Sequence, residues 1–269
     1  MASEDVYDAE GYWAERYRAI DITKSGHIDL PVPYNRWLYR RKKERLRADL
    51  DRAGFTPAGA SILECGAGTG VYVEMWRDLG CSRLMGLDIS ANAVASLVER
   101  FPEYEFHKRD MHEPALETLV GEGYDLVTTF DMLYHLVDDD RFEAALASFH
   151  KVLRPGGLFA THDLFLHHGA MGRGYIKWRS LREYETALAK HGFEIVSRTP
   201  TFFFTVQAFD SKPAWVARFV QRYWAYPIRT LISRFPNIMG FFGYWSDRAM
   251  GTIYSEGPSF EVLVCRRID

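Results

Sequence analysis

Little in this 269-residue chain points outside the cell, across a membrane or towards nucleic acid. It holds three cysteines, Cys65, Cys81 and Cys265. An odd number without framework spacing argues against a disulfide scaffold and fits reduced thiols. No uninterrupted apolar run is long enough to span a bilayer. The opening Met1-Ala2-Ser3-Glu4-Asp5 lacks the basic and apolar segments of a signal peptide, so a cytoplasmic protein is expected. A net charge of -3 gives no general attraction to polyanions, and no nucleic-acid partner is expected. Internal repeats and low-complexity segments are also missing. What is present is core material: 47% of residues are hydrophobic and 15% aromatic.

The chain opens on amphipathic patterning. Tyr12, Trp13 and Tyr17 recur at helical spacing, which fits either a helix packed on the domain or an active-site lid. A second helix is predicted from about Asn35 to Arg52, with Trp37, Leu38, Leu46 and Leu50 on one face. Its run Arg40-Arg41-Lys42-Lys43 reads as a solvated face rather than a phosphate site, because Glu44, Asp49 and Asp51 dilute the charge. From Ala60 the pattern alternates. Strands are predicted at Ser61–Glu64, Arg83–Leu87, Tyr104–His107, Tyr124–Phe130 and Leu158–His162, with helices between them. Ser90 caps a helix whose Val94, Leu97, Val98 and Phe101 share a face, and Pro155-Gly156-Gly157 ends the helix carrying Phe142, Leu146 and Phe149. Strands and helices in this alternation imply parallel βαβ units with right-handed crossovers. A helix at Leu181–Lys190 and strands at Phe193–Ser197 and Phe260–Cys265 complete the pattern. Roughly sixty residues separate those last two strands, a length that marks a functional or helical insertion rather than a connection.

The informative stretch is Ile62-Leu63-Glu64-Cys65-Gly66-Ala67-Gly68-Thr69-Gly70, an acid-closed strand leading through alternate glycines into a helix. Glycine is needed where backbone takes positive φ or passes close to a ligand. The dinucleotide fingerprint would put its third glycine at Val71; here Gly70 comes one residue early. This stretch resembles motif I of class I S-adenosylmethionine-dependent methyltransferases. The likeness continues in order through Gly86-Leu87-Asp88-Ile89-Ser90, Arg109-Asp110-Met111, Phe130-Asp131-Met132-Leu133-Tyr134-His135 and Leu153-Arg154-Pro155-Gly156-Gly157.

The resemblance implies S-adenosyl-L-methionine as cofactor and assigns roles. Gly66, Ala67 and Gly68 would run under its methionine part, and Glu64 would orient that loop or meet its ammonium. Asp88 would accept from the ribose hydroxyls, Ile89 would pack on the adenine, and Asp110, beside Met111, would accept from the adenine amino group. Phe130 and Asp131 would face the methyl position. Taken singly, Asp88 could be a helix cap and Asp110 a surface carboxylate. Tyr34 and Arg40 are candidates to reach the cofactor's carboxylate. No metal is expected, since the adjacent His167 and His168 lack a carboxylate at ligand spacing.

The acceptor side is less defined. His135 is a candidate general base or a loop-fixing hydrogen-bond partner, and His162, Asp163, His167 and His168 are expected at the pocket rim. The Phe130-Asp131-Met132-Leu133 segment lacks the Asp/Asn-Pro-Pro-aromatic signature of enzymes that methylate base amino groups. Tyr12, Trp13, Tyr17, Tyr134, Phe203 and Trp215 are candidate substrate contacts. The insertion interleaves Phe202, Phe203, Phe204, Phe209, Trp215, Phe219, Tyr223, Trp224 and Tyr226 with Arg218, Arg222, Arg229 and Arg234. It fits a cap with its own core and a homodimer contact, a pocket for a hydrophobic or ring-containing acceptor, or peripheral membrane contact through 215–235.

The expected architecture is therefore α/β: a Rossmann-like, seven-stranded, mainly parallel sheet flanked by helices, with a helical, aromatic insertion before the last strand. Its parts would be an N-terminal helical lid at 1–58, a cofactor-binding core at 59–199, a substrate cap at 200–257 and the last strand at 258–269. The expected function is methyl transfer to an oxygen, nitrogen or carbon of a small-molecule acceptor. Oxygen is favoured because of the histidines. A nicotinamide-dependent reductase and a catalytically inactive binding or membrane-docking protein are the alternatives.

Overall fold

A computed structural model describes residues 8–111, 116–210, 214–223 and 227–268. Seven strands form one sheet: β1 (Ser61–Cys65), β2 (Arg83–Asp88), β3 (Glu105–Lys108), β4 (Tyr124–Phe130), β5 (Leu153–Asp163), β8 (Phe193–Pro200) and β9 (Glu261–Arg267). Their order is β3-β2-β1-β4-β5-β9-β8, and β9 alone runs antiparallel to its neighbours. The expected Rossmann-like sheet is thus present. A short hairpin outside it, β6 (Met171–Arg173) with β7 (Ile176–Trp178), had no sequence signal.

Period-two alternation sends side chains to two cores. Ile62, Leu84, Leu126, Leu158 and Val264 pack against α3 (Val32–Arg52), α4 (Val71–Asp78) and α5 (Ala91–Arg100). Leu63, Met85, Val127, Phe159 and Cys265 face α6 (Leu116–Val120), α7 (Asp139–Val152) and α8 (Leu181–Lys190). Two local expectations are corrected. Val98 is exposed, leaving Ala93, Leu97 and Phe101 to anchor α5. Leu153–Gly157 does not follow α7 as a loop but opens β5, because Tyr124 of β4 pairs with Leu153.

The N-terminal segment forms α1 (Ala9–Arg16) and α2 (Ile22–Ser25), each capped by an aspartate, Asp8 and Asp21. Residues 1–5 and aromatics Trp224 and Tyr226 lie outside the described residues. The insertion is helical: α9 (Ala214–Tyr223), α10 (Arg229–Arg234) and α11 (Pro236–Ile253), with Pro236 in the first turn of α11. α11 packs along α3.

The basic run on α3 is not a solvated face. Arg41 and Lys42 are buried, while Arg40 alone of the four is exposed. Arg41 donates to the carbonyls of Thr201 and Asp247 at 3.2 and 3.3 Å, tying α3 to the insertion. The Asp247 carboxylate accepts from the backbone N–H of Phe203 at 2.9 Å, that of Phe204 at 2.7 Å, and the Thr205 hydroxyl. Asp247→Ala strands these buried donors, so it should lower unfolding stability by about 2–4 kcal/mol. Urea denaturation would show that loss; an unchanged midpoint would mean the insertion is held elsewhere.

Candidate functional site

The site is built on the turn after β1. Gly66 and Gly68 take positive φ, 79° and 51°. A Cβ at Gly66 would stand 2.9 Å from Met132 Cγ, and one at Gly68 would stand 2.8 Å from the Tyr17 hydroxyl. The Gly66 and Ala67 N–H groups donate to the Leu87 carbonyl at 2.8 and 2.9 Å. The loop is thereby clipped to the end of β2, where Asp88 accepts from the N–H of Gly68 at 2.8 Å and of Ser90 at 2.9 Å. Burial pushes the Asp88 carboxyl up to about 6. Each of its oxygens keeps a lone pair for a further donor.

A cavity of about 340 Å³ opens beside this turn. Gly66, Asp88, Ile89, Asp110, Met111 and Phe130 line it, with Trp13 and Tyr17 of the N-terminal segment closing part of the wall. That segment is held down at several points. Ser25 Oγ bonds the Tyr17 hydroxyl at 2.9 Å and accepts from Thr69 N–H at 3.1 Å. Asn92 donates to the Ala14 carbonyl at 3.0 Å, and Arg16 donates to the carbonyls of Lys24 and Gly26.

A second cavity, about 290 Å³, adjoins the first. Trp13, Ser25, Asp131 and His135 line both. Aromatic rings of Tyr134, Tyr175, Trp178, Phe209 and Phe260 form part of its walls, with Lys42 and His27 among its polar lining. Asp131 is the one non-glycine residue with positive φ among the described residues, at 56°. It follows β4 where Phe130 pairs with His162 of β5. Its carboxylate bonds Lys42 Nζ and, at 2.6 Å, His162 Nδ1. Burial alone would raise this carboxyl, but Lys42 and His162 hold it well below the usual range. His162 is stacked between Phe130 and Phe260, and burial lowers its basicity.

His135 packs among Trp13, Tyr134 and Tyr175. Its Nδ1 lies 3.0 Å from the Tyr175 carbonyl, which can only accept, so Nδ1 carries the proton and Nε2 the lone pair. Burial pushes this histidine down to about 4, leaving the ring neutral at pH 7. Tyr12 stacks on Tyr175 with centroids 4.8 Å apart.

Several expected site residues stand elsewhere. Glu64 does not line either cavity; buried under the loop, it accepts from Trp76 Nε1 at 2.9 Å and from the Thr128 hydroxyl. Ala67 and Gly68 also stay off the lining: Ala67 packs into the α3–α5 core and Gly68 binds Asp88. Tyr34 donates to the Thr205 carbonyl at 2.8 Å, and Arg40 lies over the Trp37 and Tyr244 rings. Both sit where α3 meets the insertion, because the helical repeat turns them away from the glycine turn. Asp163 alternates along β5 to the sheet face opposite His162 and accepts from the Tyr184 hydroxyl. His167 stands between Asp210 and Glu256, at 3.2 and 3.3 Å, away from both cavities. Phe203 packs beside Tyr254, and Trp215 is exposed on α9. In contrast, Lys42, His27, Tyr175 and Trp178 line the second cavity without having been singled out. Lys42 had a signal: it falls one turn after Leu38 and one before Leu46, inside the buried stripe of α3.

The turn, the clipped aspartate and the sheet order define a class. Residues 62–157 match the family described as "Methyltransferase domain", and this part of the chain is a class I S-adenosylmethionine-dependent methyltransferase domain. Among curated proteins, the chain is 31% identical over 113 residues to the dTDP-3-amino-3,4,6-trideoxy-alpha-D-glucopyranose N,N-dimethyltransferase of Streptomyces venezuelae, covering 41% of this chain and 45% of that one. It is also 31% identical over 139 residues to the S-adenosyl-L-methionine-dependent Diels-Alderase iccD of Talaromyces variabilis, covering 50% and 44%. The matches thus span less than half the length of these relatives. Among solved structures, the DhpI–SAH complex superposes with a TM-score of 0.58 at 21% identity, over 96% of this chain and 95% of that one, a likeness of fold.

S-adenosyl-L-methionine is the cofactor of this class, and the first cavity suits it on its own chemistry. Asp88 offers lone pairs for two hydroxyls, Ile89 and Met111 offer apolar surface for an adenine, and Gly66 leaves backbone exposed near Phe130. S-adenosylhomocysteine at a hundredfold over its dissociation constant should stabilise the protein by about 2.7 kcal/mol. The corresponding rise in Tm, roughly 5–10 °C, should vanish in Asp88→Ala and persist in Arg40→Ala. A shift with NADH instead would overturn the cofactor assignment.

Burial raises Glu64 and Asp163 to about 7. The folded chain therefore binds protons near neutrality that the unfolded chain releases, and their stabilising contribution is lost as pH rises through 7. The Tm of the ligand-free protein should rise as pH falls from 8 to 6.5. Glu64→Gln, which mimics the protonated acid, should flatten that slope; an unaltered slope would remove Glu64 from the account.

Proposed function

We propose that this protein methylates a small, ring-containing acceptor held in the second cavity, with the cofactor in the first. The observation that carries this reading is that the two cavities share Trp13, Ser25, Asp131 and His135. A ligand in each would meet at those side chains. When bound, the sulfonium cofactor supplies a methyl group already activated for displacement. The protein's work is then to align the attacking atom, exclude water and take up any proton released.

The aromatic walls of the second cavity suit the faces of a planar or sugar ring. Asp131 is the positioning group at the junction. With Lys42 and His162 each bonded to its carboxylate, it presents a fixed anion that can accept from the acceptor without reorganising. His135 is the catalytic candidate, since its neutral ring offers Nε2 as an acceptor beside the same junction. Its low basicity discriminates between reactions. A newly methylated hydroxyl is a strongly acidic oxonium and would pass its proton to such a ring; a methylated amine is an ammonium and would keep it. Oxygen transfer would therefore depend on His135, and nitrogen transfer would not. The named Streptomyces relative is an N,N-dimethyltransferase, which supports keeping nitrogen as the second reading.

The N-terminal α1–α2 segment serves as the lid in this scheme, with Trp13 and Tyr17 shielding the reacting atoms. Acceptors would be found by screening hydroxylated and aminated ring compounds for S-adenosylhomocysteine release. With a hydroxyl acceptor, His135→Ala should lower kcat by about 10²–10⁴-fold, while homocysteine-compound affinity stays within twofold. An unchanged kcat would exclude His135 as the base. Turnover confined to amines, insensitive to His135→Ala, would establish the nitrogen reading.

A further inference from the structure

α11 is amphipathic the wrong way round for a helix on a water-facing surface. Its inner stripe, against α3, is small or polar. Gly240 lies so close to Trp37 that a Cβ would stand 2.3 Å from the ring, Tyr244 donates to Glu44 at 2.7 Å, and Asp247 is fully buried. Its outer stripe is apolar: Ile238, Phe241, Phe242, Trp245 and Ile253 follow the i, i+3, i+4, i+7 repeat, and all five are exposed. Phe242 is 63% and Ile253 71% exposed. Leu231 and Phe235, immediately before α11, are exposed as well, and Trp215 on α9 is 61% exposed. Scattered exposed apolar residues are ordinary, but a contiguous set of large ones marks an interaction surface.

The charge on this segment selects the occupant. Residues 214–254 hold five arginines, Arg218, Arg222, Arg229, Arg234 and Arg248, and a single acid, the buried Asp247. That is +4 formally, against -3 for the whole chain and hence -7 for everything else. Arg248 already meets Glu44 at 2.9 Å and Arg229 meets Asp29 at 3.6 Å. Arg218, Arg222 and Arg234 are therefore the ones a partner surface must answer, and a two-fold contact would bring them against one another with no exposed carboxylate of the segment. An acidic surface answers them directly. We propose that the outer face of α11, with the arginines of α9 and α10, docks on an anionic lipid bilayer. The aromatic side chains would enter the headgroup region and the guanidinium groups would meet lipid phosphates. The strongly negative remainder of the chain would be repelled, which fixes the orientation. Arg229 also lines the second cavity, so docking brings that cavity to the lipid.

The test uses the full chain and sedimentation with vesicles of phosphatidylcholine alone or mixed with phosphatidylglycerol. Binding is expected only to the mixed vesicles and should weaken as salt rises. Arg218→Gln/Arg222→Gln/Arg234→Gln should reduce binding on the order of a hundredfold. Phe242→Ser/Ile253→Ser should also abolish it while Tm and homocysteine-compound affinity stay unchanged, since both side chains are mostly in solvent. Three results would overturn the proposal: no binding to anionic vesicles, equal binding to phosphatidylcholine alone, or a dimeric mass in light scattering that Phe242→Ser/Ile253→Ser converts to monomer. The last would assign the face to a second copy.

Discussion

A carboxylate buried beside aromatic rings, on a residue in the left-handed region of backbone space, is unfavourable in two independent ways. Asp131 is held there because Lys42 of α3 and His162 of β5 both bond it. That contact joins α3 to the centre of the sheet and fixes the chain at the point where two cavities meet. It also explains why Lys42 can be buried at all: its ammonium has a partner that burial would otherwise neutralise. Remove Asp131 and both Lys42 and His162 lose the carboxylate they bond.

Around this junction the two halves of the site are built by different means. The cofactor half is local. A strand, a glycine turn and the end of the next strand are clipped by backbone bonds to Leu87 and Asp88, so its form follows almost directly from chain order. The acceptor half is assembled from α1, α2, α3, the β6–β7 hairpin and the insertion, elements distant in sequence. Its aromatic walls are therefore free to differ where the glycine turn is not, and a fold of this kind can keep one cofactor while changing acceptors.

The insertion has a double attachment. Arg41 knits it to α3 through the carbonyls of Thr201 and Asp247, and the Asp247 carboxylate ties α11 to the N–H groups of Phe203 and Phe204 within the insertion. In the seam itself Trp37 meets Tyr244 and Phe241, while Ile238, Phe242, Trp245 and Ile253 are turned outward. Polar anchoring inside and aromatic exposure outside are two sides of one arrangement.

Composition, periodicity and one glycine-rich turn were enough to determine the mainly parallel α/β sheet and the places of its core strands along the chain, and the resemblance to a known family marked Asp88 as a site carboxylate. These depend on short-range rules: alternation, capping and the steric needs of positive φ. Tertiary structure alone decided what α3 does. Its basic run reads as solvated by charge counting, yet Lys42 lies in the buried stripe because its partner is 89 residues away. It likewise decided that Tyr34 and Arg40 face the insertion, that Asp163 and His167 turn from the cavities, and that Tyr175 and Trp178 enter one. A side chain's facing depends on helix phase and on which distant element packs opposite, and neither is written in the residues adjacent to it.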